Sequence, residues 1–486
     1  MISSELDVVM ADSLKQIAIK GIGWSAIERF SVQGVTFIVQ IVLARLLAPD
    51  DFGVIGMLTI FLQVAQVFID SGFANALIKK QDCTDDDYST VFYYNLGISV
   101  ILYLLLLWGA PLISKFYSEE LITPVLRVLS IVLIVNALSI VQKTILIKSV
   151  DFKSQSKVTL FSSVVSGFVG ILLAYCGYGV WALVIQQILN SLLLLICYVW
   201  TVKWLPKRVF SRTSFRFVFS YGSKLLLSSI ISTLYHNLYT IVIGKKFSSD
   251  QLGLYTRAES FAMFPSNNLS SIISRAAFPI MSKVQDDRMR LIVYYKKLIA
   301  YSSFIIFPLM AGLIAIAKPF IIVILTDKWI DAVPLLQILC VSWMFDHLCN
   351  LNLNLLYVIG RTDLVLRLEV IKKIIAVLIL IISIPFGLHG MCWGLVLYSF
   401  VAVFINTYYT NKLFGYSWQN QFMDYFPYLL SSCLMAGVVF VVQFLFEVAI
   451  VKLVVGILTG IFVYSGIAFV CFKYIICEVK SFIKCR

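Results

Sequence analysis

Apolar stretches of about 20 or more residues recur from one end of the chain to the other, separated by short polar segments. A helix of that length crosses roughly 30 Å of hydrocarbon at about 1.5 Å per residue. Alternating segments of about ten residues, which are typical of a membrane β-barrel, are not seen. We place membrane spans at 22–44, 53–78, 88–113, 121–142, 158–176, 180–202, 218–244, 252–274, 298–325, 332–358, 374–386, 390–410, 426–446 and 453–472, and we expect the short eleventh span to start before residue 374. The pattern predicts an all-α integral membrane protein with about 14 transmembrane helices.

Composition supports the same class. Of the 486 residues, 60% are hydrophobic and only 13% are charged, whereas soluble domains carry roughly 25% charged residues. The ten cysteines form no CxxC pair and no Cys/His cluster with metal-ligand spacing, so we expect neither a metal site nor a cofactor. The N-terminal residues show no removable signal peptide, and we expect the first span to direct insertion.

Lysine and arginine are distributed unevenly between alternate loops. With both termini in the cytoplasm, 28 of the 39 Lys and Arg residues fall in cytoplasmic segments and 7 on the opposite side. Positive residues are retained on the cytoplasmic side of a membrane. The bias therefore predicts cytoplasmic termini, and the net charge of +13 indicates contact with anionic membrane lipids rather than with nucleic acid.

Short motifs recur in the same order in the two halves of the chain. Residues 45–53 match 245–253 at an offset of 200, residues 124–129 match 334–339 at 210, and residues 179–184 match 390–396 at 211 to 212. Ordered matches favour a duplication over chance similarity between Leu-rich helices. Because each unit has six spans, both units insert the same way up, which predicts two parallel lobes around a central cavity.

A basic segment separates the two repeats. Lys203 to Arg216 carries five positive charges, no acidic residue and the helix-breaking Pro206, which indicates a cytoplasmic linker. The predicted domains are an N-terminal six-helix lobe at 1–202, a basic cytoplasmic linker at 203–217, a C-terminal six-helix lobe at 218–412, and an additional helix pair with a basic cytoplasmic tail at 413–486.

Polar residues form rows along one face of the first and seventh spans. Helical spacing aligns Ser25, Arg29, Gln33, Thr36 and Gln40 in the first span. The same spacing in the seventh span aligns Ser229, Thr233, His236 and Thr240, next to a second row of Lys224, Ser228, Ser232, Tyr235 and Tyr239. Polar rows facing lipid are costly, so both faces are predicted to line the cavity. The alternative for the serines and threonines is helix packing.

Cations within spans add charge to these rows. A cation in a span costs about 2.5–3.5 kcal/mol on insertion scales, so it usually has a partner or a task. If Arg29, Lys224 and Arg257 converge, the cavity is cationic and binds an anion such as phosphate or pyrophosphate. The candidate substrate-binding residues are Arg29, Gln33, Thr36, Gln40, Lys224, Thr233, His236 and Arg257. The alternatives are neutralisation of Arg29 by Glu28 and of Arg257 by Glu259, and a Lys224 side chain that extends to the membrane interface.

Acidic residues within or near spans are candidates for coupling to an ion gradient. Asp70 lies toward the cytoplasmic end of the second span, and Glu28 and Glu259 are further candidates for binding H+ or Na+. The alternative for Asp70 is an interfacial charge paired with Lys79 or Lys80.

Several stretches resemble a known family when they are taken together. They are Leu43–Gly53, Asp70–Ile78, Thr90–Asn95, Tyr178–Val184, Gly253–Ala258 and Phe278–Ser282. The chain is similar to the polysaccharide transport branch of the multidrug/oligosaccharidyl-lipid/polysaccharide flippase superfamily, in particular to lipopolysaccharide and colanic-acid exporters. The resemblance covers nearly the whole chain and transfers no individual residue role.

This resemblance implies a flippase of the bacterial inner membrane for an undecaprenyl-pyrophosphate-linked oligosaccharide used in O-antigen, capsule or exopolysaccharide synthesis. It implies membrane lipids as surroundings and polysaccharide polymerase machinery as a further partner. The energy for transport comes either from an H+ or Na+ gradient or only from removal of the product, and the sequence leaves both open. One alternative is a multidrug or metabolite cation antiporter of the same superfamily, against which the cavity cations count. The other is a membrane polysaccharide polymerase or ligase, but no paired carboxylates or nucleophile and base stand out, so we expect no enzyme.

Overall fold

The computed structural model describes residues 31–70, 72–80, 82–473 and 475, and over these residues the regular structure is helical, without strands. The helices are α1 Ser31–Leu46, α2 Pro49–Asp70, α3 Phe73–Lys79, α4 Asp85–Tyr117, α5 Ile122–Leu129, α6 Ile131–Lys148, α7 Phe152–Tyr175, α8 Val180–Val202, α9 Arg212–His236, α10 Leu238–Lys246, α11 Ser249–Ser282, α12 Arg288–Ile324, α13 Ala332–Trp343, α14 Asp346–Val358, α15 Thr362–Ser383, α16 Gly387–Phe414, α17 Trp418–Val442 and α18 Ala449–Cys471.

Many of these helices are long and apolar enough to cross a membrane. Within the described residues there are 10 such segments, and α9 and α10, which meet at a bend of 44°, make 11 if the pair forms one span. The prediction of an all-helical, multi-pass membrane protein is confirmed at this level.

The difference from 14 predicted spans has three sources. Part of the first predicted span lies outside the described residues, so α1 is short. Helix α11 is not apolar enough over its length to count. Helices α15 and α16 are counted as one segment of 53 residues, Thr362–Phe414, although at about 1.5 Å per residue that length suffices for two crossings.

The helix that contains the predicted eleventh span, 374–386, starts before residue 374, as expected. Helix α15 starts at Thr362 and continues through Lys372, which the sequence places in a cytoplasmic loop. Lys372 is buried, and its Nζ lies 2.5 Å from a carboxylate oxygen of Glu369 one turn earlier. Because the charge is paired within the helix, it does not end the helix as the hydropathy pattern suggests.

The chain divides into two compact units, Met1–Gly253 and Leu254–Arg486. In the first unit, α9 packs against α2, α3 and α4, and α10 packs against α2 and α4. The first compact unit therefore extends beyond the basic segment that separates the two sequence repeats.

The basic segment is docked on the start of α4. Helix α9 begins at Arg212, so the non-helical part ends at Ser211. Lys207 forms a salt bridge of 2.7 Å with Asp85, and this hydrogen bond raises the pKa of Lys207. The backbone N–H of Ser211 donates to the Thr90 hydroxyl at 3.0 Å. The linker is thus attached to the first unit along its length.

The first turns of α2 and α11 cross in the first unit, and we call Pro49–Gly53 with Ser249–Gly253 the glycine crossing. A Cβ on Gly53 would overlap the backbone carbonyl of Ser249, and a Cβ on Gly253 would overlap that of Pro49. The Ser249 hydroxyl also donates to the Asp50 carboxylate. Each glycine is the fifth residue of its helix, so the pair aligned at an offset of 200 forms a reciprocal contact.

Candidate functional site at the C-terminal end of α2

The other end of α2 is broken. The helix ends at Asp70, and α3 begins at Phe73 after Gly72, which has φ 70° and ψ 5°. Glycine adopts this left-handed conformation without the steric penalty that a side chain brings. The break leaves polar groups near the end of an otherwise apolar span.

A cavity of about 380 Å³ lies at this break. Its walls come from α2, α3, α6 and α9, all in the first unit. Much of the lining is apolar, including Val67, Ile78 and Ile140. The lining residues with polar side chains are Asp70, Asn75, Lys143, Thr144 and Ser229. A few polar groups in an apolar setting are typical of a ligand site.

Asp70, which lines the cavity, belongs to a polar face of α2. Gln63, Gln66 and Asp70 are spaced 3 and 4 residues apart and share that face. Gln66 Nε2 donates to Asp70 Oδ1 at 3.1 Å, and Asn136 Nδ2 of α6 donates to Gln66 Oε1 at 3.1 Å. Asn237, at the bend between α9 and α10, donates from Nδ2 to Gln63 Oε1 at 2.7 Å. Hydrogen bonds therefore fix this face against two neighbouring helices.

Asp70 and Lys143 bring opposite charges to the same cavity. The positive charge of Lys143 acts on Asp70, but within the described part of the chain no direct salt bridge joins them. Lys80 Nζ lies 2.6 Å from Asp87 Oδ2, so Lys80 forms its salt bridge with Asp87. Asp70 is therefore held by an amide and faces a cation across the cavity.

Several of these residues were not identified as candidates from the sequence, among them Gln63, Gln66 and Lys143. Gln63 and Gln66 share a helical spacing with Asp70, and that spacing was a usable signal. Lys143 was assigned to a cytoplasmic loop, whereas α6 continues to Lys148. Lys148 Nζ donates to the backbone carbonyl of Lys80 at 2.6 Å, which fixes the end of α6 beside the break.

Of the predicted candidates in the first unit, Asp70 lines the cavity together with Ser229 of the predicted polar row. Thr233 lies one turn before the bend between α9 and α10, and its carbonyl accepts a hydrogen bond from Asn237 Nδ2 at 2.9 Å. His236 is exposed, with its ring edge-on to that of Tyr235.

The remaining candidates lie elsewhere. Gln33 and Gln40 are half-buried on α1 and Thr36 is exposed there, while Arg29 and Glu28 fall outside the described residues. Lys224 belongs to α9, and its side chain is not described. In the second unit, Arg257 and Glu259 are half-buried on α11, and the Tyr255 hydroxyl donates to Glu259 Oε1 at 3.0 Å. Over the described ranges, no group of three or more His, Cys, Asp or Glu side chains is placed to hold a metal ion.

Comparison with known proteins gives a consistent set of relatives. A family model described as "Polysaccharide biosynthesis protein" matches residues 42–334. The chain is 28% identical over 358 residues to the teichuronic acid biosynthesis protein TuaB of Bacillus subtilis (strain 168), covering 73% of this chain and 74% of that protein. It is 23% identical over 466 residues to the succinoglycan biosynthesis transport protein ExoT of Rhizobium meliloti (strain 1021), covering 92% and 91%.

The fold also matches a solved structure. The lipid II flippase MurJ, in an inward closed conformation, superposes with a TM-score of 0.77 at 16% identity, covering 93% of this chain and 99% of that one. The likeness extends over nearly the whole chain and concerns the fold.

Proposed function

The chain belongs to the polysaccharide biosynthesis protein family, and from this premise we propose that it is a flippase. Its substrate is an undecaprenyl-pyrophosphate-linked oligosaccharide for O-antigen, capsule or exopolysaccharide synthesis, and its place is the bacterial inner membrane. The observation that carries the proposal is the polar, charged cavity at the α2 break inside an apolar helical unit. The names of ExoT, a transport protein, and of MurJ, a flippase, support it.

The physical task explains why such a cavity is needed. Sugar hydroxyls and a pyrophosphate lose their hydration in hydrocarbon, which is costly unless protein groups replace the water. A cavity with hydrogen-bonding groups and a cation can supply that replacement for the charged head group, while the prenyl chain remains in lipid. We propose 14 spans in two parallel six-helix lobes with an added C-terminal pair, and alternating access by rocking of the lobes.

The proposed topology gives the two ends of α2 different roles. With cytoplasmic termini, the Asp70 end faces the cytoplasm, where the lipid-linked unit is made. The glycine crossing then lies on the opposite side and closes the path there. During transport the crossing opens, and the cavity becomes accessible from the other side of the membrane.

Within this scheme the candidate residues keep their proposed roles. Arg29 holds the pyrophosphate, and Lys224 and Arg257 add positive potential along the path. Asp70, Glu28 or Glu259 couples transport to H+ or Na+.

A second candidate function is a cation antiporter. Asp70 in the cavity favours it, since a carboxylate suits a cationic substrate, whereas Lys143 in the same cavity opposes it. The relatives named as a transport protein and as a flippase favour transport over an enzymatic role as polymerase or ligase.

Deletion of the gene tests the proposed function. Lipid-linked oligosaccharide should collect on the cytoplasmic face of the inner membrane, detected with a sugar-binding probe on inverted and right-side-out vesicles. Re-expression of the wild-type chain should clear it. Collection on the outer face would place the defect after translocation and contradict the proposal.

A further inference from the structure

Lys143 is a cation inside a span-length helix with no established task. It lies in α6 and lines the cavity at the α2 break. Its neighbour Lys148 is bonded to the carbonyl of Lys80, so the two lysines of this helix end differ in role. A charged side chain at membrane depth usually has a partner or marks a substrate path.

The possible counter-charge of Lys143 is already engaged elsewhere. Asp70 accepts a hydrogen bond from Gln66, and Gln66 is itself held by Asn136. This chain of hydrogen bonds fixes the carboxylate on the α2 side of the cavity. The carboxylate therefore acts on Lys143 at a distance and does not form a contact ion pair.

Neutral hydrogen-bonding groups line the same cavity as the lysine. The exposed side chains of Asn75 and Ser229 line the same cavity from α3 and α9, and both types can donate hydrogen bonds. The Thr144 hydroxyl donates to the Ile140 carbonyl at 2.7 Å, so it is left as an acceptor. One cation with two neutral donors is a set suited to phosphate oxygens.

We propose that Lys143 binds a phosphate group of the transported lipid at the cytoplasmic entrance, with hydrogen bonds from Asn75 and Ser229. The cavity of about 380 Å³ lies at the small end of ligand pockets, which fits a phosphate head better than a whole oligosaccharide. Asp70 opposes the anion and weakens its binding, so that the phosphate can leave. This inference rests on the proposed function.

The test measures binding of farnesyl diphosphate to the purified full-length protein in phosphatidylcholine nanodiscs. Lys143→Gln should weaken binding about 10- to 100-fold, because a hydrogen bond to a charged group contributes about 1.5–3 kcal/mol. Lys157→Gln, which removes an exposed cation from α7, is the matched control and should bind as the wild type does. Asp70→Asn should bind more tightly than the wild type.

Lys143→Arg distinguishes loss of the charge from a folding defect. It keeps the positive charge and should retain most of the binding. Equal binding by the wild type and Lys143→Gln would overturn the proposal, as would equal losses in Lys143→Arg and Lys143→Gln. If Lys143→Gln does not fold, unchanged affinity in Asp70→Asn overturns it.

Two further experiments distinguish a membrane-lipid headgroup from the transported lipid, and this site from the proposed function. Phosphatidylglycerol nanodiscs that abolish Lys143-dependent binding would show that the site takes lipid headgroups, and would overturn the assignment to the transported lipid. In the gene deletion, collection of oligosaccharide on the outer face would remove the proposed function whatever Lys143 binds. If the oligosaccharide collects on the cytoplasmic face but Lys143→Gln binds farnesyl diphosphate normally, the proposed function stands and only the assignment of Lys143 is overturned.

Discussion

The two ends of α2 are built in opposite ways. At its first turn the helix meets the backbone of α11 at Gly53 and Gly253, with no space for side chains. At its last turn it breaks next to Gly72 and opens into a cavity with charged and polar groups. Its 22 residues span about 33 Å, which is close to the thickness of the hydrocarbon core of a membrane.

Under the proposed function, the crossing closes the transport path and the cavity admits the substrate. Close backbone contact excludes water and is sensitive to the size of a single side chain. A polar cavity depends on charge and hydrogen bonding and tolerates small changes of volume. Size substitutions should therefore act at one end and substitutions of polar groups at the other.

The largest effect is expected at the glycine crossing. Gly53→Ala or Gly253→Ala should destabilise the protein by about 3 kcal/mol, because the new Cβ overlaps a backbone carbonyl that cannot move aside. The measurement is thermal unfolding in detergent, with flipping activity in parallel.

Gly109→Ala is the matched control. Gly109 also lies inside a helix, but an added Cβ meets nothing within 4 Å, and alanine favours the helix by up to about 1 kcal/mol. Equal destabilisation by Gly53→Ala and Gly109→Ala would mean that the crossing needs no glycine.

An intermediate effect is expected in the polar face. Gln66→Leu should destabilise the protein by about 1–2 kcal/mol, since Asn136 loses its acceptor and Asp70 loses its donor. Asn136→Leu should cost a similar amount, and the double variant less than the sum. A double-mutant cycle on unfolding free energies measures this coupling; strictly additive values would rule out the hydrogen bond.

The smallest effect is expected outside both ends, in the linker. Lys207→Ala removes the salt bridge to Asp85 but should change stability by less than about 1 kcal/mol, because exposed ion pairs contribute little. Raising the salt concentration should shrink the difference from the wild type further. A loss as large as that of Gly53→Ala would show that linker docking, rather than the crossing, sets stability.

The sequence predicted less about the packing at the first end of α2 than about the charge at its other end. The repeat alignment paired Gly53 with Gly253, yet it carried no information that the two glycines touch, since contact depends on how the helices pack. At the other end, Asp70 was identified from its charge in an apolar span. Lys143 was missed because hydropathy ended the span before it, whereas the helix continues to Lys148.

The most direct test of the account is a reversible lock on the glycine crossing during transport. Asp50 and Ser249 are joined by a hydrogen bond, so Asp50→Cys/Ser249→Cys in a background without the native cysteines can form a disulfide there. Movement of a lipid-linked oligosaccharide is then followed in proteoliposomes. The account predicts that oxidation stops the movement and that reduction restores it. Equal movement by the oxidised and reduced protein would contradict the claim that the crossing opens during transport.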